Sequence, residues 1–191
     1  MHQSPHAGRA APATPASPDV LYDRDVRTRL YRHDADTLRV VATLKDDTFG
    51  PGGFASMHDM VLSVMIEEAT LTITAVDAGM SGHPHGACPV TLRQMDQLVG
   101  LRIGAGFFGE LRRLFGGNRS CNHLHTMAQH IGTVTSLSFA ARLVEDDAEA
   151  QALPHERWTL RVVQNEPHII NSCAIWHEDG ELAARMRSQL P

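Results

Sequence analysis

The chain is poor in the residues that recognise nucleic acid. Aromatic residues make up 5% of its 191 positions, and 17 Lys and Arg are outnumbered by 22 Asp and Glu. A net charge of −5 gives no basic face for a phosphate backbone. The few aromatics leave no platform for stacking bases. No apolar run approaches the ~20 residues of a membrane-spanning helix, so no membrane partner is expected. The opening MHQSPHAGRAAPATPASPDV lacks the apolar centre of a signal peptide. Its Pro, Ala and Ser content predicts a mobile tail over residues 1–20. Only three cysteines occur, Cys88, Cys121 and Cys173. That odd count without a secretion signal suggests reduced thiols and a cytoplasmic location.

Cofactor signatures are missing too. GLRIGAGFFGE has close glycines but not the strand-then-GxGxxG context of a dinucleotide site, and P-loop and GxSxG elbow are both absent. No cofactor is therefore expected. CxxC and HExxH spacings are likewise absent. His83 and His85 form a His-x-His pair in a flexible loop, the usual setting of solvent-facing histidines. Cys88, Cys121, His123 and His58 have the donor types for zinc, but C-x-H is not a standard chelate, so the site is taken as metal-free.

What is present is alternation. LRVVATLKD (38–46) has the period of a strand. In SMHDMVLSVMIE (56–67), His58, Met60, Leu62, Val64 and Ile66 share one face, with Met57, Asp59, Val61, Ser63 and Met65 on the other. ATLTITAVDA (69–78) follows a short acidic turn, which predicts an antiparallel meander. GMSGHPHGACP is a loop, and TLRQMDQLVG a short helix with a glycine stop. Phe107, Phe108, Leu111, Leu114 and Phe115 form an apolar helical face ended by Gly116 and Gly117. Ser120 is placed to cap a long helix over about 121–142. EDDAEAQALPHE is taken as a surface loop, and RWTLRVVQN (157–165) and HIINSCAIW (168–176) as a last pair of strands. The fold class is α+β, a mostly antiparallel sheet with packed helices, forming one domain over residues 21–191.

The ordered motifs are familiar at this point. RTRLYRHDADTLRVVATLKDD, MHDMVLSVMIE, ACP at 87–89, LVGLRIGAGF, GGNRSCNHL and INSCAIWHEDGELAARM occur in sequence. Together they resemble the bacterial domain-of-unknown-function 2889 family. The resemblance picks out His58, Asp59, Cys88, Cys121, His123 and Cys173 as motif positions and assigns none of them a role. The chain departs from the pattern with Asn122 in place of a common Thr, and with added His125 and His130.

Helical phase divides the histidine-rich stretch. At roughly 100° per residue, Cys121 and His125 lie about 40° apart, with His123 and His130 about opposite. Cys121, at a helix start, is either a small buried residue or an activated thiol. His123, in the same turn, is either a capping histidine or a general base. His58 is either a satisfied core histidine or a pocket residue. Asp59, on the other strand face, is placed to pair with Arg27 or Arg29.

The favoured function is a cofactor-independent lyase acting on a small aromatic or apolar molecule, with lignin-derived aromatics as one candidate class. Elimination or retro-aldol cleavage needs a base, an acid and a stabilised anion. The catalytic candidates are His58, His123, Asp59 and Tyr31. Arg29, Met60, Phe107, Cys121 and His125 are the substrate-binding candidates, with Met57, Met80 and Phe108 as further apolar lining. The alternative is a non-catalytic domain that binds a metal or ligand through Cys and His. An edge strand also offers a route to a homodimer.

Overall fold

Apolar residues alternate along two neighbouring strands, and their pairing builds half the core. Leu38, Val40, Ala42 and Leu44 stand in register with Ile66, Val64, Leu62 and Met60. All eight side chains are buried. The computed structural model describes residues 20–50, 53–143, 145, 148–165, 170 and 174–189. The expected tail over residues 1–20 lies outside the described residues apart from Val20.

Strands β1 (Tyr22–Arg32), β2 (Thr37–Gly50), β3 (Gly53–Glu67) and β4 (Thr72–Gly82) form one antiparallel sheet in chain order. Strands β2–β4 are the expected meander, each longer than its apolar run, and β1 adds an edge strand that the sequence reading did not include. A 3-10 helix (Cys88–Leu98) and helices α1 (Phe107–Phe115) and α2 (Asn122–Leu137) follow. Then come α3 (Phe139–Leu143), α4 (Ala148–Gln151), α5 (His155–Asn165) and α6 (Glu181–Arg187). The fold is α+β. No helix among the described residues is long and apolar enough to cross a membrane.

Helix α2 lies on the inner face of the sheet, touching β1, β2 and β3. Its buried stripe is Leu124, Met127, Ala128, Ile131 and Thr135, the spacing of one helical face. Thr135 donates its hydroxyl to the Ile131 carbonyl at 2.8 Å, so no polar group is stranded there. Helix α1 crosses α2 at Gly132. A Cβ at that glycine would lie 2.5 Å from the Phe107 ring, so only glycine permits this approach.

Several local expectations change. Residues 79–82, expected in a loop, end strand β4, and the short helix expected over 91–100 is a 3-10 helix that begins at Cys88. The long helix is interrupted by a turn at Ser138 before α3. Its N-cap is Cys121 rather than Ser120, without a side-chain cap. The loop expected over 145–156 holds the short helix α4 and the start of α5. Residues 157–165, expected as a strand, lie in α5. There, Thr159, Val162 and Val163 are buried at helical spacing. Their β-branched side chains favour strands, but an i, i+3, i+4 pattern packs one helix face. Of the strand expected over 168–176, residues 170 and 174–176 form turns and bends. Residues 168–169 and 171–173, Cys173 among them, lie outside the described residues.

Candidate functional site

The inner stripe of β2 continues past Leu44 to Asp46, so strand geometry sends a carboxylate into the core. Register sets Arg24 beside it on β1 and His58 beside it on β3. The three make one rung of the sheet. A bulge follows immediately, where the β2–β3 register shifts between Asp46 and Asp47. Bulges of this kind aim side chains next to functional sites. From above, the first turn of α2 brings His123 onto the same rung.

Asp46 is fully buried and accepts from every side. Arg24 donates Nε to Oδ1 at 2.6 Å and Nη2 to Oδ2 at 2.7 Å, a bidentate pair. His58 Nδ1 lies 3.0 Å and His123 Nε2 3.3 Å from the same Oδ2. The two imidazole centroids are 4.0 Å apart, with planes tilted by 37°. On the far side of His123, Cys121 Sγ sits 3.6 Å from Nδ1. Tyr22 completes the rim, its hydroxyl 3.4 Å from Arg24 Nη2.

Charge follows from this geometry. Burial pushes the Asp46 carboxyl up, but hydrogen bonds from Arg24 and Tyr22 outweigh it and lower its pKa to about 2. Burial, then the neighbouring His58 and Arg24, pushes the His123 imidazole down, against the pull of Asp46. His123 is therefore neutral at neutral pH. Burial and then Asp46 raise the Tyr22 phenol. With Asp46 ionised, the network assigns N–H to His58 Nδ1 and to His123 Nε2. His58 Nε2 and His123 Nδ1 then carry the free lone pairs, and the latter accepts the Cys121 thiol proton.

A cavity of about 300 Å³ opens beside Cys121, lined by Cys88, Thr91, Gln94, Asn118, Arg119, Ser120 and Cys121. Gln94 Oε1 and Ser120 Oγ are buried there without a hydrogen-bond partner among the described residues. Both are polar groups that a bound molecule can satisfy.

The fold therefore brings His58, His123 and Cys121 together and separates them from the other candidates. Arg29 and Tyr31 belong to the outward parity of β1, and both are exposed. Tyr31 lines a different recess of about 420 Å³ with Arg32, His33, Arg39 and Val41. Asp59 is exposed on the outward parity of β3, in register with Lys45. Its expected partner Arg27 lies 4.0 Å from Asp25 instead. Met60 and Phe107 are buried in the main core. Phe108 is exposed, and neither Met57 nor Met80 lines the cavity. His125 has a buried Nε2 without a partner among the described residues, and burial and then Arg112 push its pKa down, so it faces α1 rather than the rung.

Sequence reasoning missed Asp46, Arg24 and Tyr22. The parity of Leu38, Val40, Ala42, Leu44 and Asp46 held the signal, since it places an acid at an inward position. Such a residue needs a buried partner.

No curated protein and no solved structure matches the chain. One family model does match, over residues 22–136. That stretch is more than half of the 191 residues and contains Tyr22, Arg24, Asp46, His58, Cys121 and His123. The motif INSCAIWHEDGELAARM lies beyond it. With its site entirely inside the matched region, the chain belongs to the family described as protein of unknown function (DUF2889).

Proposed function

We propose that the protein is a small-molecule lyase that removes a substrate proton at the Arg24–Asp46–His58–His123 cluster. The observation that carries this is one buried carboxylate orienting two adjacent, mutually tilted imidazoles, each left with a second nitrogen facing away from it. A carboxylate behind an imidazole fixes its tautomer and stabilises the imidazolium formed on proton transfer. His58 Nε2 is the base, because the other imidazole's free nitrogen faces Cys121. Arg24 and Tyr22 take the anion-stabilising role that the sequence had given to Arg29 and Tyr31. They lie on the inward parity of β1, within reach of the rung.

The cavity at Cys121, which adjoins the cluster through the Cys121–His123 contact and is lined by neither imidazole, is the substrate-binding candidate, and an aromatic or apolar molecule with a hydroxyl or carbonyl suits its mixed lining. The proposal extends to a cytoplasmic enzyme and to a homodimer. Strand β1 is the sheet edge that such a dimer would use, although its alternating Asp and Arg oppose simple strand addition.

The test is turnover of a panel of β-hydroxy carbonyl and phenolic compounds, lignin-derived aromatic dimers included. His58→Ala is expected to lower the rate about 10²–10⁴-fold while circular dichroism stays unchanged. Full activity in both His58→Ala and His123→Ala rejects the assignment. Light scattering at several concentrations decides the dimer.

A further inference from the structure

Asp46 Oδ2 and the two imidazole nitrogens beside it have a second property, their mutual spacing. One ligand atom each from Asp46, His58 and His123 lie within 4.8 Å of one another. Oδ2 stands 3.0 Å from His58 Nδ1 and 3.3 Å from His123 Nε2. Two ligands held about 2.1 Å from a common ion at tetrahedral angles are about 3.4 Å apart. The three residues come from β2, β3 and α2, so the fold converges them where no local chelate motif exists. We infer that His58 Nδ1, His123 Nε2 and Asp46 Oδ2 bind a first-row divalent transition metal, with Zn²⁺ or Fe²⁺ the best fit to the donor set.

Two imidazoles and one carboxylate are the protein ligands of catalytic zinc sites and of non-haem iron sites, which keep other positions open. The surroundings suit that role. Arg24 Nε holds Oδ1, the carboxylate oxygen that the ion leaves free, and so orients the ligand from behind. Cys121 Sγ faces the other nitrogen of His123 and accepts its proton when Nε2 ligates. The second Arg24 bond, from Nη2 to Oδ2, opposes the ion and must lengthen on binding. Harder ions such as Mg²⁺ prefer oxygen and discriminate against two imidazoles.

This inference rests on the proposed lyase site and changes its proton acceptor. His58 and His123 would serve as ligands, and the ion would supply a bound hydroxide to accept the substrate proton in place of His58 Nε2.

The experiment uses the full chain purified without a histidine tag, because its 12 histidines make adventitious binding a real competitor. The protein is loaded with Zn²⁺, dialysed against metal-free buffer and analysed for metal. About one Zn²⁺ per chain is expected. Asp46→Asn, His58→Ala and His123→Ala are each expected to weaken binding tenfold or more, and His83→Ala/His85→Ala to leave it unchanged. Loading wild type with Co²⁺ provides a readout independent of whether the variants fold. Intense visible bands of a four- or five-coordinate ion are expected. A cobalt spectrum identical to that of the free ion in buffer overturns the inference, as does Zn²⁺ retained equally in all three variants. Catalytic loss in His58→Ala without any bound metal in wild type overturns it and leaves the acid–base lyase standing. Bound metal with no turnover on any compound supports the site and removes the lyase.

Discussion

At the residue scale, the Arg24–Asp46 pair is asymmetric. Asp46 has no exposed surface, whereas the Arg24 side chain is 38% exposed. Removing either partner therefore has a different consequence. Arg24→Ala leaves a carboxylate buried without its cation, a loss expected to cost about 3 kcal/mol or more. Asp46→Asn leaves a guanidinium that can turn toward water, and the cost is closer to 1–2 kcal/mol. Urea unfolding of the two variants at neutral pH measures the difference. Equal losses would show that Asp46 does not depend on Arg24 for its charge.

At the scale of elements, the α1–α2 crossing depends on a missing side chain. Gly132→Ala pushes a methyl group into the Phe107 ring, which is itself buried and cannot swing away. The expected cost is about 1–3 kcal/mol by thermal or urea unfolding, against the usual stabilisation of a helix by alanine. A second tie joins β1, the β3–β4 turn and α3. Glu68 accepts from Arg32 at 2.6 Å and from Arg142 at 3.3 Å. The Arg32 hydrogen bonds, helped by Arg142, pull the Glu68 carboxyl below its ordinary value against burial. A carboxyl held lower in the folded chain adds stability above its unfolded pKa of about 4.3. That contribution disappears as pH falls through the folded value. Glu68→Gln is expected to lower stability at pH 7 and to bring the variant level with wild type in stronger acid. A constant difference across that range would exclude an ionised tie.

For the whole molecule, one face of the sheet carries the main core. Leu62 is fully buried, while its neighbour Val61 is 38% exposed on the other face. Leu62→Ala is expected to cost about 2–5 kcal/mol and Val61→Ala to stay within about 0.5 kcal/mol. Comparable losses would mean that the outer face is covered in solution. The site sits at the end of this core, where the inward stripe of β2 exchanges leucine for aspartate. Its position costs hydrophobic burial at that rung and gains a water-poor setting for charged groups, in which their electrostatic effects are larger.

The sequence by itself determined the β2–β4 meander, the inward parity of β2 and β3, and the apolar stripe of α1 apart from the exposed Phe108. Each depends on a period of two or 3.6 residues, which is local information. The same periodicity separates His123 from His125 on the helix. It did not decide α5, because Thr, Val and Trp in a short run suit both a strand and a helix, and only burial of Thr159, Val162 and Val163 chose between them. The tertiary structure alone decided which candidates share a site. His58 and His123 meet through Asp46, whereas Arg29, Tyr31 and Asp59 point away on the other face of the sheet. The reason is physical. Parity says which residues of one strand go together, but only cross-strand register and the docking of α2 say which residues of different elements meet.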